Sequence, residues 1–261
     1  MLTKKFLIKV FVAITYLGMV TVNFLANALP LNNRSTGAIS DAYPNLFAPA
    51  GLTFSIWGLI YLLLAGYTLY QFGAFQKDKG KKNKELFNKV GFYFIISSLA
   101  NILWIFSWHY DFIAVSVLLM LVILFSLIKI ADILRVERLS LKDKFFIKLP
   151  FSIYFGWITV ATIANITVFL ISLNWNGFGL SDTFWTMLIL VVGALIGVAR
   201  MLKDKNIAYG LVLVWAYSGI LLKHISASGF NKQYPEIIYT VWACILLFLI
   251  SLFFVIKENK K

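Results

Sequence analysis

Apolar positions run through this chain in blocks. They form neither the one-sided stripe of a soluble helix nor the strict alternation of a half-buried strand. Eight such blocks, near residues 6–27, 50–72, 90–108, 112–133, 149–173, 183–201, 207–222 and 237–256, are apolar almost all round. A helix rises 1.5 Å per residue and the hydrocarbon core of a bilayer is about 30 Å thick, so one crossing takes about 20 such residues. Helices satisfy their own backbone hydrogen bonds, which lipid cannot do for them. The pattern therefore predicts an all-α integral membrane protein with eight transmembrane helices. No fixed-period repeat, low-complexity tract or soluble domain interrupts it.

Composition agrees: 61% of the 261 residues are apolar and 13% charged, with a mean hydropathy of +0.84. Charge then sets the topology. Of the 24 basic residues, 21 fall in the two terminal segments and in alternate inter-span segments, and the other side holds only Arg34, Lys223 and Lys232. That asymmetry predicts a multi-pass plasma-membrane protein with both termini cytoplasmic and an even number of spans. The net charge of +13 is read as this topological signal rather than as a nucleic-acid surface. The basic residues sit in short juxtamembrane segments, including "QKDKGKKNKE" at 76–85, where anionic lipid is the nearer partner. The N-terminus, with Lys4, Lys5 and a later Ala26-Asn27-Ala28, is similar to a cleavable signal. Its apolar run is about 20 residues, longer than a usual signal core, and fits a first span. The single cysteine, Cys244, lies inside the last span and forms no internal disulfide.

The longest segment on the sparsely charged side, "ALPLNNRSTGAISDAYPNLFAPAG", is of mixed polarity and carries Pro30, Pro44 and Pro49. A loop of that length is either a connector or a lid. No Asp, Glu, Arg or His falls in the middle of a span, which argues against ion-coupled pumps and intramembrane proteases. His109, Asp111, Asp182, His224 and Glu236 lie on the loop-bearing side without metal-ligand spacing, and are expected to be solvated loop ends rather than a metal site. Trp108, Trp175 and Trp185, near span ends, are expected in the interfacial belt.

Inside the spans the chemistry is aromatic and amide. Trp57 and Tyr61 are one turn apart. Asn101, Trp104 and Trp108 follow i, i+3, i+7, and Trp157, Ala161 and Asn165 recur every four residues, so each set shares one helix face. Trp57 and Trp104 lie deeper than a belt residue should. Two readings fit. Asparagines and small residues glue membrane helices together, and indole faces with a few amide donors also line a pocket for a flat apolar ligand.

Three segments in order carry a resemblance to the TspO/MBR family of tryptophan-rich sensory and translocator proteins. "FAPAGLTFSIWGLIY" resembles the family's Pro-Pro stretch followed by Trp and Tyr, at Pro49, Trp57 and Tyr61. "SSLANILWIFSW" resembles its third-helix Asn-x-x-Trp motif, at Asn101 and Trp104. "YFGWITVATIANITVF" resembles its fifth-helix Trp-x3-Ala-Thr-x2-Asn motif, at Trp157, Ala161, Thr162 and Asn165. The resemblance implies a five-helix bundle over residues 1–178, with 179–261 as a three-helix extension. It implies a lid carrying Tyr43, Pro44 and Pro49, with Pro49 in the first turn of the second helix. It also implies a ligand site drawing on Trp57, Tyr61, Asn101, Trp104, Trp157, Ala161 and Asn165, with Trp57 and Trp157 facing one cavity.

The ligand so implied is porphyrin-like or another planar hydrophobic molecule, bound as a ligand, with no cofactor and no metal. The leading function is a binding or sensory protein, and the alternative is a facilitator that moves such molecules. A porphyrin-degrading enzyme using Trp57 and Trp157 is the third reading, which no general acid, base or metal cluster supports. Ala48 replaces the first proline of the pair, and Pro150 sits seven residues before Trp157 instead of four. Residues 163–181 hold no tyrosine or basic residue, so a sterol motif is absent. Gly193 and Gly197 form a GxxxG pair, readable as close packing within the chain or as a homodimer face.

Overall fold

The computed structural model describes residues 4–29, 31–75 and 84–259. Pro30 and most of the basic segment at 76–85 lie outside the described residues. Eight helices are long and apolar enough to cross a membrane, and no strand occurs among the described residues. They are α1 (Lys4–Ala28), α2 (Ile56–Gln71), α3 (Lys84–His109), α4 (Ile113–Val136), α5 (Leu149–Ser172), α6 (Asp182–Asp204), α7 (Ile207–Ile225) and α8 (Pro235–Asn259). The protein is a multi-pass membrane protein, and its spans match the apolar blocks to within a few residues.

Local chemistry explains the departures from simple helices. Sixteen residues of α2 alone would reach only about 24 Å; the 3-10 turn Gly51–Ser55, which rises faster per residue, completes the span. Pro49 consequently lies ahead of that turn and not in the first turn of α2 as expected, because the backbone of Ala50 is already committed. Its N–H donates to the Gly219 carbonyl at 2.9 Å, and its own carbonyl accepts from Thr53 N at 2.9 Å. Ahead of α5, Ser140 and Asp143 form a capping box and a π turn covers Lys144–Lys148. Pro150 can donate no hydrogen bond back to the preceding turn, and its ring crowds the carbonyl there, so a widened turn beside it relieves the conflict. Ser181 and Asn206 cap α6 and α7, each accepting a hydrogen bond from the backbone N–H three residues on.

The chain divides into two compact units. One comprises the described residues of Met1–Thr36 and Trp57–Phe155; the other comprises Gly37–Ile56 and those of Gly156–Lys261. The chain passes from the first to the second within α5.

In the first unit α3 packs on α1 and α4. Phe11, Ile14, Leu17 and Phe24 of α1 remain exposed, as a lipid-facing surface should. In the second unit α8 packs on α6 and α7, and small residues bring the backbones together. A Cβ on Gly193 would sit 2.8 Å from Ile163 Cδ1, and one on Gly197 would sit 2.5 Å from Leu213 Cδ1. The contacts of the GxxxG pair are therefore made within the chain, as expected where lipid supplies no hydrophobic drive and packing must come from shape.

Candidate functional site

In the first unit the sequence-predicted residues make two stacked aromatic pairs and a buried amide. Trp57 stacks on Tyr61 with ring centroids 5.5 Å apart and planes 22° apart, and meets Tyr154 edge-on at 5.9 Å. Trp104 stacks on Trp108 at 5.5 Å and 19°. Asn101 is almost fully buried. Its Oδ1 accepts from Asn23 Nδ2 at 2.7 Å, while the same Asn23 nitrogen donates to the Met19 carbonyl at 2.9 Å. Tyr16 donates to the Tyr61 carbonyl at 2.9 Å, so α1 is tied to both α2 and α3. The Tyr154 hydroxyl interacts with the Asn101 side chain. Even so, Asn101 Nδ2 and the hydroxyls of Tyr61 and Tyr154 are buried without a partner in hydrogen-bond geometry among the described residues.

The second unit holds Trp157, Ala161, Asn165 and the segment expected to be a lid. Trp157 is 3% exposed and receives Phe54 edge-on at 5.7 Å. Asn165 is buried and Ala161 half-buried. Asn45, which sequence reasoning missed, organises the segment around Tyr43 and Pro44: its Oδ1 accepts from Phe47 N at 3.1 Å and Ala48 N at 2.8 Å, and its Nδ2 donates to the Tyr43 carbonyl at 2.9 Å. This is the local asparagine turn that competes with helix formation. It delivers Leu46, Phe47 and Pro49 to buried positions and leaves Pro44 exposed.

Residues 46–55 are then strapped to α7. His224 Nε2 donates to the Leu46 carbonyl at 2.8 Å, Ala50 N to the Gly219 carbonyl at 2.9 Å, and Trp215 Nε1 to the Thr53 carbonyl at 3.0 Å. No motif in α7 points to a role; in the structure it holds the second half of the long loop.

Three expectations need correction here. His109 and His224 are fully buried, not solvated loop ends; a backbone carbonyl far away in sequence accepts from one nitrogen of each ring. His109 closes the other part of the loop. Its Nδ1 donates to the Leu31 carbonyl at 3.1 Å and its Nε2 accepts from Thr36 Oγ1 at 3.0 Å, while Arg34 forms an ion pair with Asp111. Trp108 is 5% exposed and donates to the Thr36 carbonyl at 3.2 Å, so it belongs to this staple and not to the interfacial belt. Among the described residues no three His, Cys, Asp or Glu side chains come together as a metal set.

The strap makes a direct prediction. His224→Phe keeps the ring packing on Phe230 and Tyr234 but deletes the donor to Leu46. The loss should cost about 1 kcal/mol and speed protease cleavage within residues 43–48. Unchanged cleavage at unchanged stability would remove His224 from the strap.

A family model described as "TSPO-like protein" matches residues 9–254, a region that includes α6, α7 and most of α8. No curated protein and no solved structure matches.

Proposed function

Because this chain belongs to the TSPO-like family, we propose that it is a membrane-embedded binding protein for planar, largely apolar ligands of the tetrapyrrole class. The carrying observation is the face in the first unit. The stacked Trp57–Tyr61 pair lies beside three buried donors, on Tyr61, Tyr154 and Asn101, that have no partner in hydrogen-bond geometry among the described residues. Aromatic planes bind a flat π-system, and a few unspent donors orient its acceptors, such as the carboxylates and carbonyls at a tetrapyrrole edge. Trp104 supports the same face through its neighbour Asn101. Within the second unit, ligand recognition is assigned to Trp157, Ala161 and Asn165, and the strapped segment carrying Tyr43, Pro44 and Pro49 is assigned the role of a lid.

The charge asymmetry supports a plasma-membrane location with cytoplasmic termini, and anionic lipid is the partner of the basic segments. Nucleic acid is not a partner in this reading.

Anything that binds the folded state raises its stability by mass action, by about 2.7 kcal/mol at a hundredfold excess over Kd. Purified protein in lipid nanodiscs should therefore melt at higher temperature with increasing protoporphyrin, and not with an aliphatic detergent of equal hydrophobicity. A melting temperature that does not respond to dose across a tetrapyrrole panel would sink the proposal.

A further inference from the structure

The three unspent donors at the Trp57 face are one end of a longer series. In the same unit Ser98 Oγ, Tyr67 Oη and both side-chain polar atoms of Gln71 are also buried without a hydrogen-bond partner among the described residues. Tyr67 and Ser98 have no exposed surface and Gln71 has 3%. These groups line up. On α3, Gly91, Phe94, Ser98 and Asn101 follow one another at three- and four-residue steps and form one stripe. Gln71 Oε1 stands 3.7 Å from where a Cβ on Gly91 would lie, and the Tyr67 ring packs on Phe94 at 5.5 Å. The Asn101 side chain reaches Tyr154, whose hydroxyl is within electrostatic reach of that of Tyr61. From Gly91 to Asn101 the stripe rises about 15 Å, half of a hydrocarbon core about 30 Å thick.

Seven unpaired polar atoms in a dry interior would be a burden comparable to the whole stability of an ordinary domain. The series holds hydroxyls and amides, which both donate and accept, and no carboxylate; that suits water and does not suit a cation. At the Gln71 end Lys9 Nζ donates to the Gln71 carbonyl at 2.6 Å, placing an ammonium group where the series meets the basic end of the bundle.

We propose that the first unit holds a lane of bound water running from Gln71 past Tyr67 and Ser98 to Asn101, Tyr61 and Tyr154. Buried waters make about three hydrogen bonds each, so a file of a few molecules satisfies all of these atoms. The file joins the basic end of the bundle to the polar groups beside Trp57. It goes beyond the ligand reading: a ligand at the Trp57 face displaces only the waters on Tyr61, Tyr154 and Asn101 and leaves those at Gln71, Tyr67 and Ser98.

The test uses the full chain in nanodiscs with 3-fluorotyrosine in place of tyrosine. The fluorine resonance assigned to position 67 by its absence in Tyr67→Phe should show cross-relaxation from water. In ordinary protein, Tyr67→Phe and Ser98→Ala should each lower the melting temperature, since each leaves a water short of a partner. A dry lane predicts the reverse, because each substitution would then delete an unpaired group. A position-67 resonance silent to water, with melting temperatures that rise in both variants, overturns the proposal. The cross-relaxation itself is read on the chain that keeps every lane side chain, the fluorine labels apart, with Tyr67→Phe serving only to assign the resonance, and the melting temperature of Ser98→Ala reads the lane independently of position 67.

Discussion

Replacing Gly219 with valine is expected to release the strap from α7 and to cause a large loss of stability. A Cβ at residue 219 would lie 2.0 Å from Thr53 Oγ1, 2.6 Å from its Cγ2 and 2.8 Å from its Cβ. No real Cβ tolerates such distances, and Thr53 sits in the backbone of a 3-10 turn that cannot swing aside as a flexible tip would. Relief requires the turn to back away from α7. That breaks the Ala50–Gly219 and Trp215–Thr53 hydrogen bonds together.

Overpacking of this kind costs on the order of 1–3 kcal/mol, and two lost hydrogen bonds add about 1 kcal/mol each. The melting temperature should fall, proteolysis within residues 43–55 should accelerate, and the dissociation of a bound tetrapyrrole should quicken, since loss of closure acts mainly on the off-rate. Gly219→Ala should show the same effects, and Thr53→Ala in that background should recover part of them by deleting two of the three close atoms. Gly219→Val with wild-type melting and cleavage would mean that the strap does not depend on this contact.

The difference between what could and could not be read from the sequence lies in the range of the interactions. The eight helices were legible because crossing lipid demands an unbroken run of apolar residues, a property of each segment alone. The Asn101, Trp104 and Trp108 face was legible because helical spacing is local. Trp108 was nevertheless assigned to the wrong environment: its position near a span end suggested the belt, whereas the carbonyl of Thr36, 72 residues away, receives its N–H. His224 and Leu46 are separated by 178 positions, and Trp215 and Thr53 by 162. Nothing near either residue announces the pairing. Asn45 was legible in principle, since asparagine after a Tyr-Pro pair is a turn signal. The prolines beside it bend the chain on their own and mask that signal. The lane of unpaired groups was hidden for another reason: Ser98, Tyr67 and Gln71 look like ordinary helix residues until their missing partners are known.

The other large effect is expected at Trp57, where stacking on a ligand can be separated from packing in the bundle. Trp57 covers Tyr61 face to face and touches the edge of Tyr154, so its removal must disturb the bundle whatever the function. Truncating a large aromatic to alanine costs about 3–5 kcal/mol when it is fully buried; Trp57 is only partly buried, so the lower part of that range is expected.

Trp57→Phe retains an aromatic plane and most of the packing, and should keep the melting temperature within a few degrees of wild type. If Trp57 is the platform for a planar ligand, its loss in Trp57→Ala should cost at least 2 kcal/mol of binding, as at a central aromatic anchor. That is about a thirtyfold weakening of protoporphyrin, with Trp57→Phe falling between the two. A packing role gives a different pattern: stability falls in Trp57→Ala while the affinity of the remaining folded protein stays within a factor of two. Titration by quenching of the remaining tryptophans, made on protein first freed of unfolded material by size-exclusion chromatography, reads affinity on the folded fraction. Equal affinities across wild type, Trp57→Phe and Trp57→Ala would leave the stacked pair as bundle architecture, and the ligand would have to be sought on another face.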